Sequence, residues 1–155
     1  MFGYNWLNML KKHGAPNYAS QAMEDGRNYL MEMGAAACAF EPEAFDYDKR
    51  IVMMDADRID LAIVSLTSPN CQWGGPEISA ETAKLANDEM AEGQTAYPDR
   101  IRWFASLPWD YPDAAITELN RTVPEPLGTR SFRKRFSITR FETFATAYPL
   151  KRDVD

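Results

Sequence analysis

The sequence predicts an α/β fold built on parallel strands, and three observations carry that expectation. Helix-like and strand-like segments alternate from residue 46 to residue 123, in the order helix, strand, helix, strand, helix. Both strand-like segments, 61–66 and 101–107, are short apolar runs that stop at a proline-bearing loop. The stretches between them are long enough to hold a helix. A helical crossover returns the chain to the same end of the sheet, so the strands it joins run parallel.

Taken in order, the opening segment 2–12 places Phe2, Trp6, Met9 and Leu10 near helical spacing, and Gly14 and Pro16 close it. Residues 18–33 read as loosely helical, rich in methionine and interrupted by Gly26. The stretch "GAAACAFEPEAFD" suits either a close-packed core segment or a loop, and its pattern does not decide between them. At Asp46 the pattern sharpens. Asp46 has the chemistry of an N-cap, Asp48 favours the positive helix start, and Tyr47, Ile51 and Met54 share one helical face. In "DLAIVSL" the closely spaced Leu61, Ile63 and Val64 suit a strand covered on both faces. The loop 67–75 follows, then a helix over 79–95 with Ser79 as N-cap, Thr82 at N3, and Ala83, Leu85, Ala86 and Met90 turned inward. After the "YPDR" turn and the second strand, 101–107, a last helix opens at Asp110 to Asp113 and puts Ala115, Ile116, Leu119 and Val123 on one face.

Composition sets the outer bounds. A chain of 155 residues holds one domain with a core, and 45% hydrophobic with 26% charged residues is ordinary globular content, not that of a disordered chain. The net charge of −6 disfavours a nucleic-acid partner. No apolar run approaches the roughly 20 residues a bilayer demands, and the lysines of "MFGYNWLNMLKKHG" follow its apolar residues, the reverse of a signal peptide. Cys38 and Cys71 make no disulfide framework, so a cytoplasmic location is expected. Charge is unevenly spread: residues 1–123 carry 10 basic and 19 acidic side chains, a net of −9, whereas 124–155 carry 7 and 4, a net of +3. The switch falls at "VPEPLG". It divides an α/β domain, 1–123, from a basic tail, 124–155, expected to be disordered or non-native.

Three stretches resemble a known family. "RIVMMDADRIDLAIVSLTSPN", "AKLANDEMAE" and "YPDRIRWFASLPWDYPDAAITELNR" are similar to the amidohydrolase-related family, in the branch of aminocarboxymuconate semialdehyde decarboxylase and γ-resorcylate decarboxylase. The matching elements are Met54-Asp55, Ile59-Asp60, Ser65 to Pro69, Asn87-Asp88, Tyr97 to Arg100 and Leu107-Pro108, and together they cover about half the chain. The resemblance implies a (β/α)8 TIM barrel and a divalent metal, zinc or manganese, held by histidines and an aspartate at strand ends. It also implies hydrolysis or non-oxidative decarboxylation of a small carboxylated, often aromatic, substrate, with the metal polarising a water or substrate oxygen. Two departures modify this. The family's His-x-His is missing, His13 being the one histidine, and a whole barrel takes about 250 residues. The expectation is therefore a partial barrel, an N-terminal fragment with a divergent tail, that binds no metal and is inactive by itself.

Chemistry in such folds collects beyond the carboxyl ends of the strands, which here are the loops 67–75 and 108–111. Ser68, Asn70, Trp73 and Pro108 are the expected substrate-binding residues: Asn70 to hydrogen-bond a substrate carboxylate, Trp73 to form an apolar wall beside glycines that admit the backbone. The competing reading is a rigid connection whose tryptophan packs. No catalytic residue and no metal ligand is assigned. His13 reads as a surface residue near a helix end, and Asp55, Asp57, Asp60, Asp110 and Asp113 as caps and turn formers rather than acid–base groups. Asn87-Asp88 reads as a pair that orders neighbouring loops, and Cys71 lacks the histidine partner of a nucleophile. "RSFRKRF" is too little to indicate RNA or membrane contact. Against the enzyme reading stands a non-catalytic remnant or interaction module whose open sheet edges self-associate.

Overall fold

A computed structural model describes residues 1–122; Val123 and the basic segment 124–155 lie outside the described residues. The elements run α1 (Tyr4–His13), β1 (Tyr18–Ala22), β2 (Asn28–Glu32), β3 (Ala35–Ala39), α2 (Tyr47–Ala56), β4 (Ala62–Val64), α3 (Gly75–Ala96), β5 (Ile101–Trp103) and α4 (Pro112–Thr122), with a 3-10 turn at Pro42–Ala44. The apolar spacing of the first segment is borne out, since Phe2, Trp6, Met9 and Leu10 are all buried. Gly3 offers α1 no side-chain cap, and Glu89 of α3 supplies one: its Oε1 accepts from the Asn5 N–H at 2.9 Å. A carboxylate there also meets the positive end of the helix. Glycine at position 3 is what lets it approach, because a Cβ there would lie 1.6 Å from Glu89 Oε2.

The expected helical character of 18–33 is overturned. These residues and the undecided stretch after them form an antiparallel sheet, β1-β2-β3. The β2–β3 connection is the two-residue turn Met33-Gly34, with φ of 51° and 83° at its two positions. Two consecutive positive φ values define the turn whose twist matches a hairpin. The strand signal was hidden for two reasons. Leu30 and Met31 are adjacent yet both buried, because a register shift between them turns both inward. Strands β1 and β3 are largely small or polar and mostly exposed, so no alternation marks them.

From Asp46 onward the helix–strand alternation holds. The Asp46 carboxylate accepts from the N–H groups of Asp48 and Lys49 at 3.0 and 3.2 Å, a cap of the kind that contributes about 1 kcal/mol. Strands β4 and β5 pair in parallel, Ala62 with Ile101 and Val64 with Trp103. They are shorter than the spans 61–66 and 101–107. Their helix-facing side packs Val64 and Ile101 against Met54 of α2 and Met90 of α3. The expectation of cover on both faces fails: Leu61, Ile63 and Phe104 are 45%, 48% and 63% exposed. Among the described residues a helical layer covers one face alone, and a near-continuous apolar run cannot show which.

Helix α3 starts at Gly75, next to Gly74 in the left-handed region (φ 81°) and with Pro76 in its first turn, where proline's missing N–H is harmless. Ser79 is therefore not the N-cap; it is buried within the helix and donates its hydroxyl to the Trp73 carbonyl at 2.9 Å. Helix α4 likewise begins at Pro112, after Asp110. It buries Ala115 and Glu118 and leaves Ile116 and Leu119 exposed, so the expected apolar face is rotated outward. The reason is polar: Glu118 is drawn inward by Asn87 and Arg121. Among the described residues no helix is long and apolar enough to cross a membrane.

Candidate functional site

Because β4 and β5 are parallel, the loops that leave their carboxyl ends, 65–74 and 104–111, emerge at one end of the sheet. In the first loop Asn70 adopts φ 55°, a conformation asparagine tolerates better than most residues. The Asn70 N–H donates to Thr67 O at 2.7 Å, and Nδ2 donates to Leu66 O at 3.2 Å. Two indoles then converge on one acceptor: Trp6 Nε1 and Trp73 Nε1 both donate to Asn70 O, at 2.6 and 3.1 Å. The loop is thus pinned from α1 and from its own far end. Asn70 Oδ1 remains buried with no partner among the described residues. Ser68 is exposed, and Trp73 is buried in the cluster that also holds Trp6, Leu10, Leu30 and Leu66. Its ring packs against that core.

The second loop is fixed by Asn87, in the middle of α3. Asn87 Oδ1 accepts from Ser106 N at 2.7 Å and Nδ2 donates to Ser106 O at 2.9 Å, so one side chain pairs with the loop as a neighbouring strand would. Nδ2 also donates to Glu118 Oε1 at 2.7 Å. Glu118 receives Arg121 through both carboxylate oxygens at 2.7 Å, and Arg121 reaches on to Asp88, which Lys84 holds from the other side at 2.7 Å. Paired this way, Asp88 is held below the usual carboxylate range: burial opposes that shift, and the contacts from Lys84 and Arg121 outweigh it. Of the Asn87-Asp88 pair, Asn87 orders the neighbouring loop, and Asp88 is engaged by Lys84 and Arg121 on the helices. Pro108, two residues beyond Ser106, is fully buried, whereas Trp109 is 60% exposed.

The remaining candidates take structural places. Asp55 pairs with Arg100 at 2.6 Å and Arg100 Nε donates to Asp60 O, which ties the start of β5 to the turn before β4, the opposite end of the strands. Asp57 and Asp110 are exposed. His13 ends α1, where its basic side chain faces the negative end of the helix. Cys71 is completely buried, and burial pushes its thiol up to about 12. It is expected to resist iodoacetamide in the native protein at pH 8, with half-buried Cys38 alkylated first, since the thiolate is the reacting form. Peptide mass spectrometry reads this, and equal labelling of both cysteines before denaturation would contradict it. Among the described residues no three His, Cys, Asp or Glu side chains gather to hold a metal ion, so these residues do not fit the ion the family resemblance implies.

No protein-family model matches the chain. A γ-resorcylate decarboxylase from Rhodococcus jostii is 43% identical over 79 residues, 50% of this chain and 24% of that protein. The homologues of this chain include γ-resorcylate decarboxylases. The chain spans about a quarter of the length of these curated relatives. A 2-amino-3-carboxymuconate-6-semialdehyde decarboxylase from Caenorhabditis elegans is 23% identical over 115 residues, 73% of this chain and 29% of that one. Among solved structures, a Polaromonas dihydroxybenzoic acid decarboxylase with bound manganese and the inhibitor 2-nitroresorcinol is 39% identical, with a TM-score of 0.50 over 54% of this chain and 26% of its own. Metarhizium anisopliae IDCase shares the fold alone, at 17% identity and a TM-score of 0.65 over 78% of this chain and 36% of its own. The fold of these decarboxylase structures therefore accounts for part of the chain. What sequence reasoning missed is the set of residues that position the loops 65–74 and 104–111: Trp6, Ser106, Glu118 and Arg121. Glu118 and Arg121, three apart on one helix, carried the one signal available.

Proposed function

We propose that the domain 1–123 serves as one sector of the substrate site of a non-oxidative decarboxylase acting on small carboxylated aromatic compounds. The parallel β4–β5 pair supports this reading, since it sets both loops at one end of the sheet in a chain homologous to γ-resorcylate decarboxylases. Ser68 and Asn70 would meet the substrate, with Trp73 and Pro108 as the apolar backing that holds the two loops. Asn70 Oδ1 is an unpartnered acceptor, the kind of atom a phenolic O–H satisfies and a carboxylate repels, and the loop has to open for a ring hydroxyl to reach it because the atom is buried. A divalent ion would supply Lewis-acid polarisation in such an enzyme. The described residues offer it no ligand set.

The test is an amide-resolved titration of the purified chain with γ-resorcylate. Shifts confined to 67–73 and 106–109, lost in Asn70→Ala, are the expected result; no saturable shift, or shifts elsewhere, would sink the reading. A second reading rests on the exposed Leu61, Ile63 and Phe104 and on the open edges of a two-stranded sheet: a non-catalytic module that self-associates. Light scattering with metal analysis separates them. A monomer holding stoichiometric zinc or manganese removes the second reading, and a metal-free oligomer that ignores γ-resorcylate removes the first.

A further inference from the structure

The turn between β1 and β2 runs Met23-Glu24-Asp25-Gly26-Arg27 and holds the single Asp-Gly pair of the chain. In such a pair the aspartate carboxyl is open to attack by the next amide nitrogen, because glycine puts no side chain beside that nitrogen. Nothing here bars the approach. Asp25 is exposed, Gly26 stands at φ 79°, and a Cβ on Gly26 would meet no atom within 4 Å.

Hydrogen bonds nevertheless hold both reacting groups. The Arg27 N–H donates to Asp25 Oδ1 at 3.0 Å, while Arg27 Nε and Tyr29 Oη donate to Oδ2 at 2.9 and 2.7 Å. Arg27 is itself anchored from beyond β3, its Nη1 donating to Glu41 Oε1 at 2.9 Å, and its guanidinium lies 5.5 Å from the centre of the Tyr29 ring. The Gly26 N–H, whose proton has to leave before the nitrogen can react, donates to Met23 O at 3.0 Å. Met23 N–H closes the turn on Arg27 O at 2.9 Å. The contact from the Arg27 N–H, and after it that from Tyr29, keeps the Asp25 carboxyl below the usual carboxylate range. A carboxylate so paired is a poor electrophile, because an oxygen leaves only once it is protonated.

We infer that this turn is a modification site, at which Asp25 becomes isoaspartate through a succinimide with Gly26, and that Arg27 and Tyr29 set how slowly it does so. The Gly26 nitrogen bonds to Asp25 Cγ, the bond from Cγ to one carboxyl oxygen breaks, and that oxygen leaves as water with the carboxyl and amide protons. Water then reopens the imide. Opening at Cγ restores aspartate; opening at the Asp25 main-chain carbonyl leaves the chain running through Cβ and Cγ, with a free α-carboxylate. Aspartate and isoaspartate have the same atoms and the same oxidation state, so solvent water is the one co-reactant. The product carries one extra main-chain carbon inside the turn, which pulls Met23 N away from Arg27 O and loosens the end of the β1–β2 pair at Ala22 and Asn28. Each contact on the carboxylate lies at the surface and is weak by itself, so the restraint comes from several acting together.

Incubating the full chain at neutral pH for several weeks, folded and in urea, and scoring the Asp25 peptide for isoaspartate by electron-transfer fragmentation tests this. Isoaspartate should form in urea, and conversion in the folded parent should be at least about tenfold slower. Arg27→Ala and Tyr29→Phe should each speed the folded reaction about threefold, and the double variant about tenfold, as exposed contacts of this strength allow. Melting curves confirm that each variant is folded. In urea all of them should convert at the parent's rate, which separates a lost contact from a change of neighbouring residue. The inference fails if no isoaspartate forms at Asp25 in urea, if the folded parent converts as fast as the unfolded chain, or if the folded double variant keeps the parent's rate. Should Arg27→Ala melt early, Tyr29→Phe alone decides, since it removes one hydroxyl and keeps the ring.

Discussion

Replacing Asn87 by leucine is expected to lower stability by about 3 kcal/mol, because a buried donor at Ser106 and a buried carboxylate at Glu118 each lose a partner. That loss corresponds to a fall in Tm of about 10 °C for a domain of this size. The side chain is nearly isosteric, so packing changes little and the loss is one of polar satisfaction. Asn87→Asp separates charge from shape. It keeps the acceptor for Ser106 N but replaces the donating amide by an oxygen 2.7 Å from Glu118 Oε1. Two carboxylates at that distance share a proton, and the folded pair's upper pKa is raised above its unfolded value. The sign follows: stability is retained below the unfolded carboxylate range and is lost as pH rises through the raised value. Asn87→Asp should therefore melt far lower than the parent at pH 7, with the gap narrowing on acidification, whereas Asn87→Leu should show no such narrowing. Urea denaturation at pH 5 and pH 7 measures both. A leucine variant within about 1 kcal/mol of the parent would mean that the clamp on the second loop is not what holds it.

The parts of the fold that sequence exposed are those with a local cause. Asp46 caps a helix because its carboxylate reaches N–H groups two and three residues on, and that geometry needs nothing from the rest of the chain. The same holds for Trp6 and Leu10 on the buried face of α1 and for the two prolines that end the strand segments. Residues 18–39 failed for the opposite reason. Their pairing joins residues up to fourteen apart, Tyr18 with Glu32, and the one strong local token is the Met33-Gly34 turn. Methionines scattered through 23–33 imitate a helical period, while the sheet that overrides them is set by register.

The candidate site divides the same way. That polar loops would follow the strands was legible, as was the asparagine that orders one of them. Trp6 was legible as core but not as the donor that fixes Asn70 sixty-four residues later. The burial of Glu118 has no mark in the sequence, because charge is the usual mark of a solvated face; only the folded chain brings Asn87 and Arg121 to it and makes burial affordable. The apolar Ile116 and Leu119 are turned out as a consequence. A polar cluster decided the orientation of α4, and a pattern of apolar residues alone gives no access to that choice.

Trp6 is the site of the largest single loss expected. It has no solvent exposure, stacks on Phe2 at 4.9 Å and sits in the cluster of Met9, Leu10, Leu30, Leu66, Trp73 and Ala86. Trp6→Ala removes that ring and should cost about 4 kcal/mol, a large part of the roughly 5–15 kcal/mol that separates folded from unfolded domains. Trp6→Phe isolates the hydrogen bond. The ring largely remains, the donor to Asn70 O goes, and Trp73 Nε1 still satisfies that carbonyl at 3.1 Å. The acceptor is not orphaned, so the loss should be about 1 kcal/mol beyond a small cavity. The two variants part company at the loop. In Trp6→Phe the Asn70 amide, bonded to Thr67 O, should exchange with solvent faster than in the parent while amides of α3 stay protected, because one of the two pins on the loop has been drawn. In Trp6→Ala protection should fall across both. Denaturation of each variant with site-resolved amide exchange gives the answer, and equal damage from phenylalanine and alanine would show that the indole N–H, not the ring, carries the energy at this position.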